Sequence, residues 1–218
     1  MCGRYVVDDD GALIAKHFNL KRIPKHLRPR FNAAPTQQLP VILSDKPQEL
    51  SMLKWGMTPV WWSIKGRELI NIREDNLKEK PTFKKLLATQ RCLVVSSGYY
   101  EWKKEGARKQ PYLFQLKSHQ LFAYPGIWEQ EKQKDGSTQL AFALIICDPN
   151  PLAAKVHDRM PVILKSKDEN LWLNPNTPRE TLLKLLKPYS AKLMEAQPVS
   201  TLVNSPANDD PMLIQKMK

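Results

Sequence analysis

The sequence lacks the features that would place the chain in a membrane or on a secretory route. No stretch approaches the roughly 20 consecutive apolar residues of a membrane-spanning helix. The N-terminus also has no basic region followed by an apolar one, which is the pattern of a secretory signal. We therefore expect a cytoplasmic protein with no membrane partner.

Cysteine is scarce and wrongly spaced for a disulfide framework or a structural zinc site. The chain has 3 cysteines, Cys2, Cys92 and Cys147, an odd number without CxxC spacing. Its 4 histidines show neither HExxH spacing nor a neighbouring cysteine pair. We predict no metal site and no cofactor.

Flexible linkers, low-complexity runs and internal repeats are also missing from the 218 residues. One domain spanning residues 1–218 is therefore predicted, and we expect it to be a monomer. The 18 prolines exceed the roughly 5% background and divide the chain into short segments.

Short β-rich runs dominate the middle of the chain, and helical patterns lie at its two ends and between strands. This distribution predicts an α+β fold with a mixed, mainly antiparallel, barrel-like sheet flanked by short helices. The predicted strands are Gly3–Val7, Leu39–Leu43, Ser51–Thr58, Leu93–Lys103, Pro111–Leu116, Leu121–Trp128, Leu140–Cys147 and Pro161–Leu164. The predicted helices are Asp10–Phe18, Thr82–Thr89, Ser166–Trp172 and Thr177–Leu186.

Two of these helices carry start signals. Ser166 and Thr177 are each followed three residues later by glutamate, which fits a capping box. The second signal also has Pro178 at the first predicted helical position. We expect both hydroxyls to cap their helices.

The formal net charge is +12 and the sequence pI is about 9.6. This excess of lysine and arginine indicates a polyanionic partner, with nucleic acid favoured over a membrane surface. Much of it is spread along the chain and suits an ordinary solvated surface as well.

Cys2 is the most informative residue of the sequence. If Met1 is removed, residue 2 presents an α-amine and a thiol two carbons apart. An aldehyde condenses with such an amine to an imine, and the sulfur then closes a five-membered thiazolidine. The unperturbed pKa values, about 7.7–8.0 and about 8.5, leave a deprotonated fraction of each group at neutral pH. On position alone, a small buried hydrophobic residue is the simpler interpretation.

The segment Ser97–Lys103 places Glu101 between aromatic residues of a strand. The period of two puts Tyr99 and Glu101 on one face and Tyr100 on the other. A sheltered Glu101 would have a pKa raised towards neutrality and would exchange protons readily. The alternative is a surface glutamate paired with Lys103.

Two further segments carry polar groups suited to chemistry. His157 precedes a predicted strand and titrates near pH 6.5, although a lone histidine is more often structural. Asn71 and Arg73 share one face if their segment is extended, so that Arg73 can clamp a phosphate and Asn71 can bind a sugar. A turn at Asn71 is the competing interpretation.

Trp61 and Trp62 follow Pro59 in a polar-flanked segment. Such rings can stack on bases or wedge between them. A role in the core is the alternative.

Taken together, these segments resemble the SRAP family, the SOS response-associated peptidases, over nearly the whole chain. Each motif alone is weak, but their joint occurrence in order is specific. The motifs are Met1–Arg4, Arg30–Thr36, Trp55–Met57, Pro59 with Trp61 and Trp62, Asn71 with Arg73, Gly98–Trp102, Gly126–Glu129, His157–Pro161, Pro198–Thr201, and Val203 with Asn204.

The resemblance implies a protein that recognises abasic sites in single-stranded DNA and links itself covalently to them through Cys2 as a thiazolidine. Glu101 would be the acid and base, also in removing Met1 and in reversing the crosslink. His157 would assist ring opening, and Asn71 would hold the sugar. An imine alone would permit lyase activity. The residues implied to contact DNA are Gly3, Arg4, Asn32, Trp61, Trp62, Arg73, Arg159, Met160 and Pro161.

The chain departs from the usual family pattern at two places. Relatives often have a glutamate where this chain has Asp75, and we predict that the shorter carboxylate repositions Arg73. Ile146 and Cys147 stand where threonines are common, so a hydroxyl that could contact DNA is missing.

Two other functions remain open from the residues. Class II glutamine amidotransferases also use an N-terminal cysteine, and glutaminase activity without DNA would identify one. A plain single-strand binding module in which Cys2 is incidental would leave no slow band on denaturing electrophoresis with abasic DNA.

Overall fold

The computed structural model describes residues 2–59, 68–133 and 135–217 as an α+β fold. Its strands are β1 Tyr5–Val7, β2 Arg30–Ala33, β3 Gln38–Leu43, β4 Lys46–Trp55, β5 Asn71–Arg73, β6 Arg91–Ser96, β7 Gly98–Glu105, β8 Arg108–Leu116, β9 Phe122–Lys132, β10 Thr138–Cys147, β11 Met160–Pro161 and β12 Met194–Pro198. Its α-helices are α1 Ala12–Phe18, α2 Glu74–Glu79, α3 Pro81–Thr89, α4 Ser166–Leu173 and α5 Arg179–Leu185. None of the helices in these ranges is long and apolar enough to cross a membrane.

Five strands close into a barrel in the order β10-β4-β3-β6-β9, with β9 pairing again with β10. All pairs in this ring are antiparallel except β4 with β10. Closure satisfies the strand edges that an open sheet would leave unpaired. The predicted mixed, mainly antiparallel and barrel-like core is therefore confirmed.

The second sheet is fully antiparallel, in the order β12-β8-β7-β1-β2. The prediction of one strand over Leu93–Lys103 is wrong, because β6 belongs to the barrel and β7 to this second sheet. Gly98 makes the crossing possible: a Cβ there would lie 3.0 Å from the carbonyl oxygen of Phe114.

The two faces of β7 pack into different apolar clusters. Tyr99 belongs to the main core, whereas Tyr100 joins Val6 and Leu113 in a smaller cluster. This confirms the alternation predicted from the pleat. Glu101 shares the face of Tyr99 and is carried towards the interior by it.

The short strands β2, β5 and β12 and the helix α2 were not predicted. Each has three to six residues and mixes polar with apolar side chains, so periodicity has too little length to identify it. The predicted strand Pro161–Leu164 is largely wrong, because β11 is Met160–Pro161 and overlaps it only at Pro161.

The four predicted helices are present, but both capping boxes are wrong. Ser166 is the first residue of α4 rather than its cap, and no side chain caps that helix. The helix α5 begins at Arg179, with Pro178 at the cap position. The Thr177 hydroxyl instead donates to the Leu171 carbonyl oxygen at 2.7 Å, which ties the α4–α5 connection together.

A C-terminal segment, residues 199–217, covers the smaller apolar cluster and is fastened to β2 by polar contacts. Asn32 is fully buried, and its side-chain nitrogen Nδ2 lies 2.8–3.1 Å from the carbonyl oxygens of Val203, Ser205 and Asn208. Asp209 accepts hydrogen bonds from the backbone amides of Phe31 and Asn32. The two N–H groups of one side chain are thus shared among three carbonyl oxygens at the sheet edge.

We predict that Asn32→Ala lowers the free energy of unfolding by about 2–3 kcal/mol, because buried carbonyls lose their donor. Chemical denaturation measures this change. The matched control is Asn170→Ala, at an exposed position, which we expect to stay within about 0.5 kcal/mol of wild type. An Asn32→Ala protein as stable as the control would contradict the fastening role.

Candidate active site

Four predicted catalytic residues converge where the second sheet meets strand β10. Asn71 lies in β5, which runs parallel to β10 with Asn71 opposite Leu144. His157 lies three residues before Met160, which pairs with Cys147 at the end of β10. The strand β10 therefore positions two of the four groups, and β7 supplies Glu101.

Residue 2 is buried and fixed by its backbone. Cys2 has no exposed surface, and its carbonyl oxygen accepts a hydrogen bond from Asn71 Nδ2 at 2.8 Å. Burial raises the pKa of the Cys2 thiol well above its usual range, and the negative charge of Glu101 raises it further. The thiol is therefore protonated, and a base must remove its proton before the sulfur can attack.

Asn71 has the extended backbone of β5, so the alternative of a turn at this residue is wrong. Its amide oxygen Oδ1 is buried and has no hydrogen-bond partner within the described part of the chain. A buried acceptor of this kind is costly unless something fills the position. Asn71 thus holds residue 2 with one end of its amide and offers the other end for a ligand.

Glu101 is 3% exposed, and burial raises the pKa of its carboxyl to about 7. The alternative of a surface ion pair with Lys103 is wrong, because Glu101 is buried and the partly buried Lys103 pairs with Glu105 at 3.0 Å. A carboxyl with a pKa near neutrality both accepts and donates protons at physiological pH. The predicted sheltering of Glu101 is confirmed.

His157 faces Glu101, with Nε2 at 4.0 Å from Glu101 Oε2. On the other side of the ring, Nδ1 lies 3.1 Å from the backbone nitrogen of Arg159 and 3.0 Å from Asp158 Oδ1. Partial burial lowers the pKa of the imidazole, which favours its neutral form. The imidazole ring therefore lies between the buried carboxyl of Glu101 and the solvent-exposed Asp158.

Three buried tyrosines, Tyr5, Tyr99 and Tyr124, lie near the thiol and were not anticipated from the sequence. Burial raises the pKa of each hydroxyl, and the charge of a Cys2 thiolate is a further cause for all three. Tyr5 pairs with Tyr99 across the strands, and its ring lies 5.8 Å from that of Tyr124. Only Tyr99 had a signal in the sequence that could have placed it beside the site, namely its predicted position on the same face of the strand as Glu101.

The C-terminal segment holds the guanidinium of Arg4 in place. Its guanidinium donates to Asn32 Oδ1 at 2.9 Å, to the Val203 carbonyl at 2.7 Å and to the Asn204 carbonyl at 3.2 Å. Asn32 therefore lies under Arg4 inside the protein, where its side-chain oxygen supports the guanidinium. Neighbouring Gly3 is half-buried.

The other candidate DNA contacts divide by exposure. Arg73 is exposed and donates to Asp75 at 2.9 Å. The repositioning of Arg73 by this shorter carboxylate stays a prediction. Arg159 is partly exposed and lies 3.3 Å from Asp148. Met160 and Pro161 are buried, which gives their side chains supporting positions under the site rather than places at its surface.

The departures from the family pattern on β10 lie in the interior. Ile146 is 3% exposed and Cys147 is 1% exposed. Their side chains pack in the core, so a polar contact with DNA through these positions would need the strand to open. Among the described residues, no group of three or more His, Cys, Asp and Glu is placed to hold a metal ion.

Trp61 and Trp62 lie outside the described residues. The chain on either side is joined by a bridge between Met57 and Leu69, whose backbone groups exchange two hydrogen bonds of 2.7 and 3.1 Å. Glu131 accepts hydrogen bonds from the backbone nitrogen and the hydroxyl of Thr58. These contacts fix where the segment leaves and rejoins the barrel.

Comparison with known proteins gives consistent results. The family described as SOS response associated peptidase (SRAP) matches residues 1–206. The abasic site processing protein YoqW of Bacillus subtilis is 40% identical, and the alignment covers 99% of each chain. The abasic site processing protein HMCES of Gallus gallus is 32% identical over 84% of this chain and 65% of its own length.

A crystal structure of a protein from Bacteroides thetaiotaomicron superimposes with a TM-score of 0.87 and 28% identity, covering 100% of both chains. The fold, the ordered motifs and the full-length alignment with YoqW agree with one another. The chain belongs to the SOS response associated peptidase (SRAP) family.

Proposed function

We propose that this chain processes abasic sites in single-stranded DNA by removing its own Met1 and then forming a thiazolidine crosslink through Cys2. The observation that carries the proposal is the convergence on residue 2 of Asn71, at 2.8 Å from its carbonyl, with the nearby buried acid Glu101. The names of the relatives support the substrate. The SRAP-like unit spans residues 1–218 and acts as a monomer.

Removal of Met1 needs a nucleophile and a proton carrier. In the proposed step, the Cys2 sulfur attacks the Met1 carbonyl carbon while the thiol proton passes to the Glu101 carboxylate. Glu101 then returns the proton to the departing nitrogen of residue 2, which breaks the peptide bond. Water hydrolyses the resulting thioester, releasing methionine and restoring the thiol.

Crosslinking uses the amine freed by this cleavage. The amine nitrogen attacks the aldehyde carbon of the ring-opened deoxyribose, and loss of water gives an imine. The sulfur then adds to the imine carbon, and the thiol proton passes to the nitrogen. If elimination of the 3′ phosphate occurs before ring closure, the outcome is strand cleavage by lyase chemistry.

Each remaining site residue has a role in this scheme. His157 moves a proton between Glu101 and solvent during sugar ring opening. The buried side-chain oxygen Oδ1 of Asn71 accepts a hydrogen bond from the ring-opened sugar of the abasic site. Arg4, Arg73 and Arg159 bind phosphates, Gly3 lets the strand approach residue 2, and Trp61 and Trp62 pack against the bases.

Cys2→Ala should abolish the covalent adduct while keeping salt-sensitive DNA binding, because the sulfur is needed for ring closure and the basic surface is unchanged. Denaturing electrophoresis with abasic single-stranded DNA measures the adduct, and fluorescence anisotropy measures binding. The matched control is Cys147→Ala, another buried thiol, which should crosslink normally. A heat-stable adduct on Cys2→Ala protein would overturn the assignment of residue 2.

Glu101→Gln should slow Met1 removal by about 10²–10³-fold, because an amide does not relay protons. Intact-mass spectrometry of freshly expressed protein follows the reaction. With the carboxyl pKa at about 7, the fraction of carboxylate rises as pH increases from 6 to 8. The rate of Met1 removal should therefore increase over this range in wild type and stay flat in the variant. A variant with the wild-type rate and pH profile would exclude Glu101 as the base.

Asn71→Ala should slow crosslinking by about tenfold or more, because residue 2 loses its backbone anchor. Single-turnover crosslinking at saturating DNA separates this effect from weaker binding. Arg73→Ala, two residues further along the same strand, is the comparison: it should weaken binding and leave the saturated rate near wild type. If Asn71→Ala changes only the affinity, its positioning role is wrong.

A further inference from the structure

A cavity of about 860 Å³ lies away from the active site and shares no lining residue with it. Four residues of one face of α4, Ser166, Glu169, Asn170 and Leu173, form one wall, and α1 forms another. The cross-strand pair Ile42 and Leu93 contributes to the apolar part of the lining. The volume of the cavity is in the range of pockets that hold small ligands or anchoring side chains.

Glu169 is a buried, ionisable side chain in the lining of this cavity. It is 5% exposed, and His17 Nε2 lies 3.2 and 3.4 Å from its two oxygens. A carboxylate has about four acceptor positions, and one ring nitrogen fills only part of them. Burial raises the pKa of this carboxyl, which reflects its poor solvation. A cation in the cavity would compensate for that loss of solvation.

The cavity has the opposite charge balance to the whole protein. Its lining carries three carboxylates, Asp8, Asp9 and Glu169, against one lysine, Lys16, although the net charge of the chain is +12. A phosphate or carboxylate ligand is therefore disfavoured there. The adjoining surface beyond Gln48, here called the basic flank, carries Lys21, Arg22 and Lys46 against one carboxylate, Glu49. Its net positive charge would repel a second positive charge.

We propose that this cavity binds a single alkylammonium group, such as a lysine side chain presented by a partner protein. The methylene stem lies on Leu13, Leu121 and Leu173, the apolar lining residues with accessible surface. The ammonium reaches the Glu169 carboxylate, which exchanges part of its contact with His17 for a full positive charge. The basic flank selects for one ammonium over an extended polyamine. This proposal does not depend on the DNA chemistry.

The test is a titration of the protein with n-butylammonium chloride, followed by NMR of backbone amides in the absence of DNA. We expect saturable shifts confined to residues 12–18, 42, 93 and 166–173. The neutral isostere n-butanol should bind at least about tenfold more weakly, because it leaves the buried carboxylate uncompensated. An acetylated and amidated lysine should bind at least as tightly as the free amine, and spermidine should bind no more tightly than n-butylammonium.

Glu169→Gln should raise the dissociation constant of n-butylammonium by at least about tenfold. The exposed Glu180→Gln, which changes the net charge equally, should leave it unchanged. Asn170→Phe provides a second variant, because it narrows the mouth and retains the carboxylate; it should weaken binding too. Both cavity variants should crosslink abasic DNA at the wild-type rate.

Several outcomes would overturn the proposal. These are the absence of saturable shifts in wild type, equal binding of n-butanol, or shifts centred outside the cavity. An unchanged dissociation constant in folded Glu169→Gln protein, or in Asn170→Phe protein, would do the same. Tighter binding of spermidine would show that the basic flank does not select for one charge.

Discussion

The burial of Glu101 is the constraint on which the chemistry proposed for this protein depends. A carboxylate in contact with water would be ionised at neutral pH and would be a weak acid catalyst. On β7 the alternation that sends Tyr99 into the core also takes Glu101 out of solvent, and the pKa rises to about 7. The burial of Cys2 itself raises the pKa of its thiol, and the charge of Glu101 raises it further, so the thiol stays protonated until a base acts on it.

Strand β10 organises the groups around that acid. It pairs with β4 and then with β5 along its length, and its last two residues pair with β11. Asn71 and His157 therefore occupy positions set by one rigid strand of a closed barrel. Arg4 is fixed from the other side, because Asn32 and the C-terminal segment hold its guanidinium. A site built on regular elements keeps its geometry better than one built on free loops.

Two parts of the protein differ in the sign of their charge. The excess positive charge suits a polyanionic strand at the candidate site, where Arg4 follows Cys2 by two residues, Arg73 follows Asn71 on β5 and Arg159 follows His157. The cavity between α1 and α4 has the opposite balance and contains a buried carboxylate. Nucleic acid and a cationic ligand would therefore occupy different parts of the protein without competing for the same charges.

The sequence by itself determined the fold class and supplied the side chains of the candidate site. Cys2 next to Met1 and Glu101 between aromatic residues are local features, and the period of two predicted how β7 divides its side chains. Only the tertiary structure decided that the chain changes sheets at Ser97, that Asn71 holds the carbonyl of residue 2, and that Asn32 lies beneath Arg4. These contacts join residues between 28 and 69 positions apart, and such long-range pairing depends on barrel closure and packing, which local periodicity does not encode.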